Sequence, residues 1–315
     1  MTEKHIILED IDPVLFYGTA NSNMQVLKSL FPQLRIVARD NVIRVLGEEK
    51  IMDSFAQKVE KLTQHALLFN SLETRDIVEI VAGKEKHGDL PDDVLVYSMN
   101  GKPIRPRTDG QRLLASSFLK NDLTFAVGPA GTGKTYLSIA LAVKALKEKK
   151  AKRLILSRPA VEAGEKLGFL PGDMKEKVDP YLQPLYDALE DMIPNNKLQE
   201  MTEHRTLQIA PLAYMRGRTL SDAVIILDEA QNATRRQMKM FLTRMGSGSK
   251  VIVSGDTSQT DLPSSQRSGL AEALSLLKDI DGIAIVKLSK NDILRHKLVN
   301  KIVEAYDNNE QHNEY

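Results

Sequence analysis

The sequence predicts an α/β protein, a parallel sheet with helices on both faces, preceded by a small α+β module. Three observations predict it. Short apolar runs at 123–127, 153–157, 206–210, 223–227, 251–254 and 283–288 alternate with stretches of helical periodicity, the pattern of a parallel sheet with helices on both faces. Gly-Pro-Ala-Gly-Thr-Gly-Lys-Thr (128–135) follows the first of these runs directly and opens a helical pattern from Tyr136 to Lys147. Upstream, a segment rich in glycine, proline and charge separates this region from an N-terminal one of different pattern. The expected organisation is a small module at 1–82, a linker at 83–104 and a phosphate-loop domain at 105–315.

Composition narrows the class. The 315 residues are 42% hydrophobic and 27% charged, as in ordinary globular proteins. No apolar run approaches the roughly 20 residues that span a bilayer, so no membrane association is expected. The acidic residues beside the short apolar run near the N-terminus do not make a signal peptide. The chain has no cysteine, which excludes disulfides, thiolate zinc sites and a thiol nucleophile and suits a cytoplasmic location. The six histidines show no metal-binding spacing. With 43 basic and 42 acidic residues the net charge is +1, so any nucleic-acid contact must come from a local patch.

In the N-terminal module, Met24 to Phe31 reads as a short helix. Leu34–Arg39 and Asn41–Leu46 read as a hairpin turning at Asp40-Asn41. Glu48 to Leu68 reads as an amphipathic helix with Ile51, Phe55, Val59, Leu62 and Ala66 on one face. This helix–strand–strand–helix order resembles a KH-type RNA-binding fold, with Gly18-Thr-Ala-Asn21 at the position of the G-x-x-G clamp, although its second glycine is absent. A docking or oligomerisation module is the other reading.

The core carries the chemistry. Gly128, Pro129, Ala130, Gly131, Thr132 and Gly133 form a loop whose backbone N–H groups can surround an anion at a helix N-terminus. Lys134 can reach the β- and γ-phosphates, and Thr135 can offer its hydroxyl to Mg²⁺. Val224-Ile-Ile-Leu-Asp-Glu (224–229) is a buried strand ending in two carboxylates. One acid, Asp228, suits the Mg²⁺ shell; the next, Glu229, suits a base that activates water. The strand at 251–254 runs into Gly-Asp-Thr-Ser-Gln-Thr-Asp-Leu-Pro (255–263), where Gln259 is a candidate contact for the γ-phosphate or the attacking water. An ordinary Asx turn around Asp256 is the alternative there. Gln111, in Thr108-Asp-Gly-Gln111, has an amide able to read an adenine edge.

Together these segments resemble the PhoH-like family of ATPases. The resemblance rests on 128–135, on Ser157 to Asp173 (SRPAVEAGEKLGFLPGD), on Ala210 to Thr219 (APLAYMRGRT), on Leu227 to Asn232 and on 255–263, with further matches at Ser268-Gly-Leu270 and Arg295-His296. It covers nearly the whole chain. It implies a RecA-like core related to superfamily 1 helicases, ATP and Mg²⁺ as ligands, a cytoplasmic role in RNA metabolism, and association with an endoribonuclease that matures ribosomal RNA. It also places Gln111 at the adenine and Arg158, Arg216 and Arg218 near nucleic acid or phosphate. Some relatives carry a nuclease domain, but no acid cluster suited to two-metal cleavage lies in the N-terminal region here.

Superfamily 1 helicases bind ATP between two lobes, whereas residues 105–315 make only one. The missing arginine is therefore expected from a neighbouring copy in a homo-oligomeric ring. Arg295 is the leading candidate, with Arg235, Arg236 and Arg267 behind it. Pro171 to Pro194 reads as an inserted helical element whose Tyr181, Leu185, Tyr186 and Leu189 are explained by packing, by a nucleic-acid groove or by a subunit contact. Two functional readings follow: an ATP-hydrolysing RNA remodeller, and an ATP-dependent switch that regulates a partner ribonuclease without unwinding.

Overall fold

A computed structural model describes residues 2–8, 11–83, 93–159, 174–263, 266–294, 298, 299 and 302. The chain divides into two compact units. The first comprises Met1–Arg105, Ile139–Leu154 and Gln183–Gln208; the second comprises Pro106–Ser138, Ile155–Leu182 and Ile209–Tyr315.

The first unit opens with β1 (Thr2–Ile7), α1 (Pro13–Tyr17) and α2 (Ser22–Leu30). Then come β2 (Arg35–Arg39), β3 (Val42–Gly47), α3 (Glu49–Phe69) and α4 (Thr74–Val81). The expected hairpin is present, with Asp40 at its turn in the left-handed region at φ 52°. β1 was not foreseen. It pairs antiparallel with β3, giving a three-stranded sheet in the order β1-β3-β2. One face of that sheet is buried through Ile36, Ile43 and Val45, which pack with Phe16, Leu27, Phe55, Val59 and Leu62 from the helices. The five apolar positions expected on one face of α3 are buried or, at Ile51, partly buried. The other sheet face leaves Arg35, Val37, Arg39 and Arg44 exposed.

Inside the segment read as a linker, β4 (Val96–Tyr97) and β5 (Pro103–Ile104) pair antiparallel. Asn70 fastens this hairpin. It ends α3 in the left-handed conformation (φ 50°), which asparagine tolerates. Its amide nitrogen donates to the carbonyls of Tyr97 (2.7 Å) and Met192 (3.1 Å). Its amide oxygen accepts from Lys147 Nζ at 3.1 Å, and that ammonium also donates to the Leu67 carbonyl at 2.9 Å.

The second unit contains α5 (Asp109–Lys120), β6 (Leu123–Val127) and the start of α6 (Lys134–Lys147). It continues through most of β7 (Arg153–Arg158) and the first part of α7 (Met174–Glu190). α8 (Asn195–Glu203) belongs to the first unit. Then follow β8 (Leu207–Pro211), β9 (Ala223–Leu227), α9 (Arg235–Leu242), β10 (Lys250–Gly255), α10 (Gly269–Leu277) and β11 (Ile283–Lys287). All six predicted strands form, within a residue or two of their expected ends, as one parallel sheet in the order β11-β6-β10-β9-β7-β8. Every residue of β6 and of β9 is buried, the continuous apolar reading of a strand covered on both faces. The register pairs Gly255 with Val127 and Val253 with Leu227, so β6, β9 and β10 deliver their C-terminal ends to one edge, where α/β sheets bind ligands. Of the four residues named in the inserted helical element, Leu185 and Leu189 are buried, while Tyr181 and Tyr186 are half-buried.

Burial lowers the Lys147 ammonium pKa from 10.5 to about 8. A cation whose pKa falls on folding costs stability at neutral pH, and that cost disappears as pH rises from about 8 to about 10.5. Chemical denaturation of the wild type and Lys147→Met across this window should show the wild type gaining on the variant, by on the order of 3 kcal/mol at most. A pH-independent difference would contradict this account of Lys147.

Candidate nucleotide site at the edge of the parallel sheet

The loop after β6 curls as its glycines allow. Gly133 has φ 76°, reached without the steric cost a side chain would impose. At Gly128 the reason is space: a Cβ there would lie 2.4 Å from the Leu288 carbonyl oxygen. The segment after β11 holds the loop a second time, through Leu294 N–H donating to the Gly131 carbonyl at 2.9 Å. Lys134 Nζ donates to the carbonyls of Gly128 (2.6 Å) and Pro129 (2.8 Å), so its ammonium folds back over the loop.

Asp228 follows β9 directly and is the electrostatic centre. Its Oδ1 accepts from the hydroxyls of Thr135 (2.7 Å) and Ser254 (2.8 Å). Burial raises its pKa, more than the guanidinium of Arg158 lowers it. Oδ2 is buried and accepts no hydrogen bond among the described residues. A buried carboxylate oxygen in that condition, beside a threonine hydroxyl at the loop, fits a hydrated Mg²⁺. That ion takes one or two protein oxygens and completes its shell with water and phosphate. No cluster of three metal-ligating side chains occurs among the described residues.

Glu229 is built differently. Its backbone is left-handed (φ 50°, ψ 41°), uncommon for a residue with a side chain. Arg158 Nη2 donates to Glu229 Oε1 at 2.9 Å, while Gln231 Nε2 donates to Oε2. The Glu229 side chain is 38% exposed, so it can meet water. Gln231 also accepts the Asp256 N–H at 3.0 Å, tying the end of β9 to the turn after β10. Strand order brings Arg158 to Glu229, a pairing that no residue pattern states, whereas Gln231 reaches it from two residues along the same turn.

The other sequence candidates lie as follows. Gln111 is buried; its amide oxygen accepts from Arg107 N–H (2.8 Å) and its nitrogen donates to the Thr132 carbonyl (2.9 Å). It therefore braces the loop against the N-terminus of α5. Asp292 strengthens that end by accepting from Gly110 N–H at 3.1 Å. A hydrogen bond from Thr108, with help from Ser289, holds its carboxyl below the usual range. Gln259 is exposed in the turn after β10, its N–H donating to the Asp256 carbonyl at 3.3 Å. Asp256 also accepts from Ser258, which is the Asx turn anticipated as the alternative. Arg235 pairs with Glu272. Arg295 and most of 157–173 lie outside the described residues.

A glycine loop between a buried strand and a helix, with a buried aspartate bonded to the loop's threonine, defines a P-loop nucleotide-binding protein of the NTPase class. Comparison with known proteins takes this further. A family model described as PhoH-like protein matches residues 103–307. A PhoH-like protein of Bacillus subtilis (strain 168) is 47% identical over 298 residues, covering 92% of each chain. One from Synechocystis sp. is 47% identical over 281 residues, covering 88% of this chain and 86% of its own. The chain belongs to the PhoH-like family. Protein PhoH of Escherichia coli (strain K12) is 44% identical over 211 residues, covering 66% of this chain and 60% of its own. Among solved structures, the Sulfolobus solfataricus SWI2/SNF2 ATPase core in complex with dsDNA is 18% identical with TM-score 0.32, over 46% of this chain and 30% of that one. The Pif1 helicase from Candida albicans is 16% identical with TM-score 0.34, over 64% of this chain and 43% of that one. At these scores neither likeness carries a functional argument. No helix among the described residues is long and apolar enough to cross a membrane.

Because burial raises the pKa of Asp228, its charge costs stability at neutral pH, a cost that fades as pH falls and the folded state takes up the proton. Asp228→Asn should therefore melt higher than wild type at pH 7 without nucleotide, by about 2–4 °C for each kcal/mol recovered. The gap should close in acid. A lower melting temperature at every pH would show that the carboxylate is a net stabiliser.

Proposed function

We propose that this chain hydrolyses ATP to ADP and inorganic phosphate and couples the reaction to RNA in the cytoplasm. The observation that carries the hydrolysis reading is the Thr135–Asp228 hydrogen bond with Glu229 next in sequence, which puts metal-binding and base candidates at one sheet edge. Thr135 and Asp228 would hold Mg²⁺, which when bound supplies charge neutralisation at the phosphates. Lys134 would exchange its two loop carbonyls for phosphate oxygens, and the backbone of Gly128 to Gly133 would surround them. Glu229 would orient a water and take its proton as oxygen attacks the γ-phosphorus and the bond to ADP breaks. Gln259, exposed near this edge, is proposed as the γ-phosphate contact. For adenine, Gln111 would use its second Nε2 proton, the first being given to Thr132.

The RNA coupling rests on the family resemblance and on two features of the N-terminal module. The loop Gly18–Asn21 joins α1 and α2, and Asn21, standing where a second clamp glycine would be, adopts the left-handed conformation (φ 61°, ψ 27°) that glycine would supply. Arg35, Arg39 and Arg44 lie exposed on one sheet face, a local basic patch on a chain of balanced charge. Ring assembly with Arg295 reaching a neighbouring copy, and a partner endoribonuclease, belong to the same proposal. The switch reading, nucleotide binding that regulates a partner without unwinding, is favoured by one observation: Glu229 is ion-paired to Arg158 rather than open.

Phosphate release should rise with single-stranded or ribosomal RNA. It should fall by roughly 10²-fold or more in Lys134→Ala and Glu229→Gln, the scale of removing a positioned catalytic group. Tight ATP binding without turnover under any RNA condition would leave the switch reading in its place. Mass measurement with Mg²⁺ and ATP should give a closed oligomer; a strict monomer at assay concentration contradicts the trans arginine.

A further inference from the structure

Arg158 ends β7, the neighbour of β9 in the sheet, and its guanidinium has three partners among the described residues. Nη2 donates to Glu229 Oε1 at 2.9 Å, and Nε lies 3.6 Å from Asp228 Oδ2. Nη1 donates to the carbonyl of Tyr181, within α7, at 2.8 Å. The side chain is only 17% exposed. Asp228 Oδ2 is the atom without a hydrogen bond, so this guanidinium is the positive charge set against it. Arg158 thus faces the same carboxylate as the cation expected beside Thr135, and two cations on one small carboxylate pair repel each other. An oxygen of Glu229 that accepts from the guanidinium also has one fewer lone pair to offer to water.

We propose that Arg158 is a resident counter-cation for Asp228 and Glu229, that Mg²⁺–nucleotide displaces it, and that its release loosens α7 at Tyr181 while freeing Glu229. Arg158 is a positioning residue on this account, acting on the reaction through Glu229. The inference deepens the nucleotide-hydrolysis reading and rests on it. It assigns the Asp228–Arg158–Tyr181 chain as the route by which occupancy of the site reaches α7.

Amide hydrogen exchange of residues 180–186 in the full-length wild type, with Mg²⁺, with ATPγS, and with both, tests the proposal without turnover. Exchange should rise only with both together. The Mg²⁺ concentration giving half-maximal binding of a fluorescent ATPγS analogue should fall by about fivefold or more in Arg158→Ala, the scale of a modest coupling between sites. Arg158→Lys, which keeps the charge but not the three-way fork, should lie between. Should Arg158→Ala fail to fold, the wild-type exchange experiment stands alone. Mg²⁺-dependent nucleotide binding with unaltered exchange at 180–186 overturns the proposal and leaves the hydrolysis reading intact, as does an unchanged or higher Mg²⁺ requirement in Arg158→Ala. Absence of any nucleotide binding overturns both.

Discussion

A carboxylate buried at the end of a strand is the constraint on which the nucleotide edge depends. Asp228 is buried at the end of the most enclosed strand, and an unpaired buried charge costs several kcal/mol. Three elements converge to offset that cost: Thr135 from the loop helix, Ser254 from β10 and Arg158 from β7. The strand order makes this possible. β10 lies between β6 and β9, so Ser254 is beside Asp228, and β7 lies on the far side of β9, so Arg158 reaches it from there. Each of these side chains would be unremarked on a different sheet.

The site is also where the chain departs from easy geometry. Glu229 holds a left-handed backbone that costs roughly 1–3 kcal/mol, and it sits next to the buried aspartate. Gln231 and Asn232 over-determine the turn that enforces it. Gln231 bonds Glu229 and the Asp256 N–H, and Asn232 exchanges two hydrogen bonds with Asp261 (2.9 and 2.8 Å). Buried charge and strain thus sit on two adjacent residues, Asp228 and Glu229, and are held by the turn after the neighbouring strand.

The parallel strands were legible because strands buried on both faces read as unbroken apolar runs, and the phosphate loop because its glycines are demanded by backbone geometry. What escaped had weaker local signals. β1 mixes Lys4 and His5 with Ile6 and Ile7 at a sheet edge, too polar to read as a strand. α1 spans five residues, less than two turns, and shows no periodicity. Asn70 looked like any loop asparagine, because its partners at 97, 147 and 192 are remote in sequence. The role of Arg158 was hidden for the same reason, because an ion pair between strand ends follows from strand order, and so was the bond between Gln231 and the Asp256 N–H. Gln111 was chosen for an amide that proved to be bonded at both ends within the chain.

The phosphate loop is pressed from behind by the Leu288 carbonyl and bonded in front by the Leu294 N–H. Both come from the segment that follows the last strand. During synthesis the glycine loop therefore leaves the ribosome long before the parts that give it shape. Nucleotide would find no finished cradle until β11 has threaded in beside β6 and residue 294 has closed over Gly131. Capture of the ligand is in this sense a late event in the life of the chain, and it reports that the sheet has been completed from its outer edge.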